Sequence, residues 1–100
     1  EAGADKDAQN ANGTTALLFA AGKGHTATFE VLLAAGCSVD LPSFNGVTPL
    51  MDAALFNRAG IVKLLLDGGA DKALVCDYGR TALRYAEQSG NDAVAALLRN

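Results

Sequence analysis

The chain repeats itself every 33 residues. Gly13, Gly46 and Gly79 stand at that spacing, and so do Thr15, Thr48 and Thr81. Leu17, Leu50 and Leu83 form a third series, Ala20, Ala53 and Ala86 a fourth, and Gly3, Gly36 and Gly69 a fifth. A period of this length is the mark of a stacked array: each unit is one supersecondary element that cannot bury its apolar face alone. The alternatives are thereby few. The fold is a solenoid in which every unit leans on its neighbours.

The central unit shows how each copy is built. Asn45-Gly46 supplies the positive-φ turn of a hairpin tip. Thr48 is placed to cap a helix, and Pro49 falls at its first position, where the missing N–H costs nothing. Leu50, Ala53 and Ala54 then recur on one helical face. The alanines leave room for a neighbouring helix. Asn57-Arg58 permits a turn, and Ile61, Val62, Leu64, Leu65 and Leu66 make the apolar body of a second helix. Gly68-Gly69 ends it where a left-handed cap is wanted. The first unit repeats the plan with Gly13-Thr14-Thr15, Ala20-Ala21, the turn Gly24-His25, then Phe29, Val31, Leu32 and Leu33, and finally Gly36. The third has Gly79-Arg80-Thr81, Leu83, Tyr85 and Ala86, the turn Gly90-Asn91, and Val94, Leu97 and Leu98.

Gly46-Val47-Thr48-Pro49-Leu50 with Ala53-Ala54, and Leu64-Leu65-Leu66-Asp67-Gly68-Gly69-Ala70-Asp71, resemble the ankyrin repeat, as does the period itself. Gly24-His25 is similar to that family's inter-helix turn. The resemblance covers essentially the whole chain. It implies an all-α fold, an ankyrin-repeat solenoid of stacked helix-turn-helix units joined by β-hairpin-like loops. Residues 1–9 are expected to be the tail of a preceding repeat, since Gly3-Ala4-Asp5 matches Gly69-Ala70-Asp71; residues 10–42 and 43–75 are two repeats. Residues 76–100 are read as a C-terminal, capping-like repeat, because Glu87, Gln88, Asn91, Asp92 and Arg99 dilute the apolar content of the last two helices. An earlier unit is expected N-terminal to the tail, and an end of the array after the last helix. The family's Thr-Pro-Leu-His is altered in each unit: Leu18, Met51 and Arg84 stand where the histidine would be. Its usual polar network around the hairpin is therefore missing its donor.

Composition excludes several classes. A net charge of −3 lacks the basic excess of a nucleic-acid binder, so no nucleic acid is expected. The longest apolar runs are broken by charge or glycine, short of the ~20 residues of a membrane span, so no membrane insertion is expected. No signal-peptide pattern stands at Glu1-Ala2-Gly3-Ala4-Asp5. Two cysteines, Cys37 and Cys76, make no disulfide framework and read as reduced thiols of a cytoplasmic or nuclear protein. The chain is expected to be monomeric.

Chemical motifs are weak. Gly22-Lys23-Gly24-His25-Thr26 lacks the glycine spacing and preceding strand of a phosphate loop. Asp5-Lys6-Asp7 lacks the later glycine and glutamate of a calcium loop. Asn12-Gly13-Thr14 fits a glycosylation pattern, but Asn-Gly is also what a hairpin tip requires. His25, the one histidine, reads as a turn residue. No catalytic residue, metal ligand or cofactor is expected, and the chain is read as non-catalytic.

The resemblance implies protein recognition by the hairpin tips and the concave face of the first helices. Carried over by position, tip candidates are Ala11, Asn12 and Thr14, then Phe44, Asn45 and Val47, then Asp77, Tyr78 and Arg80. Helix-end candidates are Gly22 and Lys23, Leu55 and Phe56, and Gln88 and Ser89. Phe44, Asn45, Val47, Leu55 and Phe56 of the second unit, with Tyr78 and Arg80 beside them, have hot-spot composition and are the expected partner surface. The function expected is a protein-protein interaction module. The alternative is a regulatory segment of a larger enzyme or channel, docking on another domain of the same protein. A spacer that binds nothing tightly would need a flat, polar face, which this cluster argues against.

Overall fold

The computed structural model describes Gln9 and residues 13–99. The expected repeat tail, apart from Gln9, and the tip candidates Ala11 and Asn12 lie outside these residues. Six helices follow one another: α1 (Ala16–Lys23), α2 (Thr26–Ala34), α3 (Pro49–Leu55), α4 (Ala59–Asp67), α5 (Ala82–Gln88) and α6 (Asp92–Arg99). They form three antiparallel pairs. The first helices, α1, α3 and α5, pack side by side in one row; α2, α4 and α6 form a second row behind them.

Each first helix begins on a threonine. The Thr15, Thr48 and Thr81 hydroxyls accept hydrogen bonds from the amides of Leu18, Met51 and Arg84. This satisfies one of the amide groups that a helix start leaves open. At the second unit the Met51 sulfur returns a contact, accepting from the Thr48 amide at 3.4 Å. A thioether thus occupies the place where the family's histidine is absent, and the Thr48 amide remains satisfied.

The core is a continuous apolar layer between the two rows. Ala20, Ala21, Ala53, Ala54 and Ala86 are fully buried, and their small side chains suit the packing of successive first helices on one another. Behind them lie Phe29, Ile61, Val62, Leu65, Val94 and Leu98. Val31, expected in the apolar body of α2, is 68% exposed. Two residues on from Phe29 is about 200° around a helix, so Val31 points away when Phe29 points in.

No strand forms among the described residues, and the loops are hairpin-like only at their tips. Ser43 donates its amide to Val47 O at 3.0 Å and Gly46 to Ser43 O at 2.9 Å. One unit on, Cys76 donates to Arg80 O at 3.0 Å and Gly79 to Cys76 O at 2.9 Å. Adjacent tips are tied together where the Asp77 amide donates to Asn45 O at 2.9 Å. Gly46 has φ +78°, and a Cβ there would meet Asp77 Oδ1 at 3.0 Å and the Asp77 amide nitrogen at 3.2 Å.

The units are also joined through helix ends. Arg58 donates to the Gly22 carbonyl (3.3 and 3.1 Å), and Asn91 to the carbonyls of Ala54 (2.7 Å) and Leu55 (3.3 Å). Arg58 and Asn91 occupy the same place in successive units. Each closes the open carbonyl end of the preceding unit's first helix, where an acceptor would otherwise depend on water. Asn57, which stands where the other units have glycine, adopts φ 60° and so makes the same left-handed turn as Gly24 and Gly90.

Two outcomes check this construction. Gly46→Val should lower stability by about 2 kcal/mol or more, since a β-branched residue is strained at positive φ and meets backbone there. On a domain this small that is a fall of about 10 °C in melting temperature, read by thermal circular dichroism. Asn91→Ala should cost about 1 kcal/mol by loss of its hydrogen bonds. Chemical denaturation measures it, and an unchanged midpoint would remove Asn91 from the inter-unit joint.

Candidate functional site

The residues expected at the partner surface divide by environment. Phe44 is 66% exposed and Tyr78 65% exposed, and Asn45 is exposed beside them at the tips. Phe44 reaches its position by lying over Gly13, where a Cβ would collide with the Phe44 ring and backbone. Val47 and Leu55 are half-buried and pack on the core, so their side chains serve the frame as well as the surface. Arg80 is half-buried, with its guanidinium 5.8 Å from the ring centres of both Tyr78 and Tyr85. It therefore makes a cation–π contact with Tyr78, which at an exposed site favours this placement by about 0.5–1 kcal/mol. The expected group is two neighbourhoods: a tip cluster of Phe44, Asn45, Tyr78 and Arg80, and the end of α3 with Leu55 and Phe56.

Beneath Arg80, the Cys76 sulfur and the Tyr85 hydroxyl are 3.2 Å apart. Burial opposes ionisation of Cys76, but hydrogen bonds from Tyr85 and from the backbone of Arg80, Tyr78 and Cys76 itself hold its thiol below the usual value. Burial, with the adjoining thiol, pushes the Tyr85 phenol up. Both cysteines are buried, and neither forms a disulfide. Among the described residues no group of three His, Cys, Asp or Glu side chains is arranged to hold a metal, and no helix is long and apolar enough to cross a membrane.

The α3 neighbourhood opens into a cleft of about 320 Å³ between α1 and α3. On α1, Phe19 and Lys23 share a face, being four residues apart; on α3, Asp52 and Phe56 do the same. Between these pairs lies Gly22. A Cβ there would be 3.7 Å from the Phe56 ring and 3.9 Å from the Asp52 carboxyl carbon. Thr14 and Leu18 line the same cleft toward the start of α1, and Arg58 its far end. The Lys23 ammonium lies 5.7 Å from the centre of the Phe19 ring, and His25 meets that ring edge-on at 6.2 Å.

Gly22, Lys23 and Phe56 of this cleft were among the helix-end candidates, and Thr14 among the tips; Leu18, Phe19, Asp52 and Arg58 were not. A signal for two of them was present. Phe19, Asp52 and Tyr85 fall at one place in the three units, where chemistry changes while the flanking threonine, leucine and alanine persist. The side chain there is exposed as Phe19, half-buried as Asp52 and buried as Tyr85.

Asp52 is the electrostatically unusual member. Burial pushes its carboxyl up to about 6, and among the described residues the carboxylate makes no hydrogen bond or ion pair. The folded state holds this proton more tightly than the unfolded chain. The stabilisation from protonated Asp52 is therefore complete below about pH 4 and is lost as pH rises through about 6. Asp52→Asn should then be more stable than the wild type at neutral pH by about 1–2 kcal/mol, after discounting for partial contact with water. The difference should shrink toward pH 4. Paired thermal melts across pH measure it, and a difference independent of pH would contradict the burial of this charge.

Comparison with known proteins agrees with the geometry. A family model described as ankyrin repeats (3 copies) matches residues 2–76. The chain is 34% identical over 102 residues to the neurogenic locus notch homolog protein 1 of Xenopus laevis, covering 100% of this chain and 4% of that protein. It is 35% identical over 77 residues to the protein phosphatase 1 regulatory subunit 12A of Mus musculus, covering 77% of this chain and 8% of that one. It is 38% identical over 82 residues to the putative ankyrin repeat protein YahD of Escherichia coli (strain K12), covering 76% and 41%. The chain thus spans less than half the length of each of these relatives. Period, threonine-capped helix pairs, hairpin tips and family model together show that the chain belongs to the ankyrin-repeat family, whose repeats are protein-interaction modules.

Proposed function

We propose that this chain is a non-catalytic interaction module that binds another protein on its hairpin tips and the concave face of its first helices. The observation that carries the reading is the distribution of aromatic side chains. The chain has four phenylalanines and two tyrosines. Only Phe29 and Tyr85 are buried; Phe19, Phe44, Phe56 and Tyr78 are each at least half exposed. A frame that closes its core on alanine and leucine has no structural use for four wet rings. Aromatic side chains backed by arginine are the groups that dominate protein interfaces. Phe44, Asn45, Val47, Leu55, Phe56, Tyr78 and Arg80 form the reading surface, with Phe44, Phe56 and Tyr78 as anchors and Arg80 holding Tyr78.

The mechanism is recognition by an ordered surface. The repeats are stacked before the partner arrives, so little chain entropy is lost on association. The units are read as 10–42, 43–75 and a capping-like 76–100, with Asp92, Ala93, Ala96 and Arg99 of α6 turned to solvent. A reduced compartment, cytoplasmic or nuclear, suits two buried cysteines that form no disulfide. A second reading, a regulatory segment docking on another domain of a longer protein, uses the same surface. It is favoured by the small share of each relative that the chain spans.

The double variant Phe44→Ala/Phe56→Ala tests the surface. It is expected to keep the wild-type helical spectrum and to bind a partner captured by the wild type about 30-fold more weakly, as for loss of a hot spot worth about 2 kcal/mol. Retained helicity with unchanged affinity for every captured partner would sink the reading.

A further inference from the structure

We propose that the cleft between α1 and α3 is a subsite for a basic side chain, a lysine or arginine of the partner protein, whose aliphatic stem lies between Phe19 and Phe56 and whose charge meets Asp52. This rests on the interaction reading above and names the chemistry that the concave face selects.

Three observations converge on a cation. The walls are aromatic and half exposed, Phe19 from one unit and Phe56 from the next. Aromatic faces attract alkylammonium and guanidinium groups. The carboxylate of Asp52 lies in the same cleft, withdrawn from water and without a partner among the described residues. An uncompensated charge in such a place is unfavourable until an opposite charge arrives. Finally, the floor is kept open by Gly22. This glycine is the penultimate residue of α1 and has no positive φ, so nothing in its backbone conformation excludes alanine, which has the higher helix propensity. Ordinary van der Waals contacts surround its missing Cβ, so the backbone does not require glycine. The space does: any longer side chain at this position fills the slot.

The volume, about 320 Å³, lies at the low end of ligand clefts, which suits one long side chain better than a cofactor. Two cations, Lys23 and Arg58, face the same cleft. Arg58 is committed to the Gly22 carbonyl, and Lys23 rests against Phe19. Both sit where α1 and α3 end, while Thr14 and Leu18 line the opposite end. The ligand stem therefore enters from the Thr14 side, away from the two resident charges. Neither cation forms an ion pair with Asp52. No charged side chain of α4 or α5, the other helices packed on α3, lines the slot. His25 is the remaining titratable group, in contact with Phe19 rather than Asp52.

Protonation supplies a signature. A basic ligand needs the carboxylate, so its affinity falls as pH drops through about 6, where Asp52 takes up its proton. A purely apolar ligand has no such dependence.

The test is a nitrogen-15 NMR titration of the intact chain with blocked tripeptides Ala-X-Ala, in which X is lysine, arginine, norleucine or glutamate. The lysine or arginine peptide is expected to shift the amides of Leu18, Phe19, Gly22 and Asp52, and to bind about tenfold tighter than the norleucine peptide at about pH 7.5. That preference should fall to about twofold or less at about pH 5. Asp52→Asn should abolish the preference and its pH dependence, whereas His25→Gln should keep both. Gly22→Leu, with its helical spectrum checked, should remove the shifts altogether. Equal binding of norleucine, tighter binding of glutamate, or shifts confined to other residues would overturn the proposal. A captured partner lost by Phe44→Ala/Phe56→Ala but untouched by Asp52→Asn and Gly22→Leu would also overturn the slot, leaving the interaction surface standing. A partner untouched by the aromatic double variant would overturn that surface itself.

Discussion

Helices of seven to nine residues are too short to hold themselves in water, and everything in this protein depends on how they are stacked. The first helices pack on one another, and their alanines are fully buried in that row. Ala20 and Ala21 face the α3 row, Ala53 and Ala54 lie fully buried within it, and Ala86 continues the series. Small side chains let the first helices come close, and the larger residues of the second row then close the core behind. Because the contact is so intimate, the ends of the helices come within reach of the next unit. Arg58 and Asn91 exploit this by satisfying the terminal carbonyls of α1 and α3. Packing and polar satisfaction thus reinforce one another across each joint.

The same closeness creates the surface. Where α1 and α3 stack, Phe19 and Phe56 are left half exposed beside the cleft between them. Phe19 and Asp52 occupy equivalent places there, and Phe56 follows one turn later. In a looser stack the aromatic rings would have room to fold back onto the core. Here the core is already filled, and burial of Asp52 follows from its confinement between neighbouring units. The energetic cost of the withdrawn carboxylate, about 1–2 kcal/mol at neutral pH, is borne by the frame. Sites where local rules are broken on an otherwise consistent frame are where function is expected.

Much of the frame was legible in the residues. Thr48-Pro49 reads as a capped helix start because each residue acts locally: the hydroxyl reaches an amide three residues away, and the ring fixes φ. Gly46 reads as a positive-φ turn for an equally local reason. Phe44, Phe56 and Tyr78 were legible as surface candidates because the repeat tells which positions lie outside it. Asp52 was not. As a helix residue in a first turn it looks like an ordinary dipole partner. Its desolvation comes from burial in the cleft it shares with residues of α1, which exists only once the units are stacked. Val47 and Leu55 were read as surface, and their packing on the core depends on the adjoining unit, which no local pattern describes.

The sequence by itself therefore determined the unit: its period, its threonine caps, its turns and the family to which those belong. These are set by interactions spanning a few residues, and repetition makes them readable three times over. Only the tertiary structure decided what the units make together. It brought Phe19, Gly22 and Asp52 to one cleft across thirty or more residues of chain, and it left that carboxylate without a partner among the described residues. The physical reason is that solvation and charge pairing depend on every neighbour at once, and those neighbours exist only after the helices have stacked.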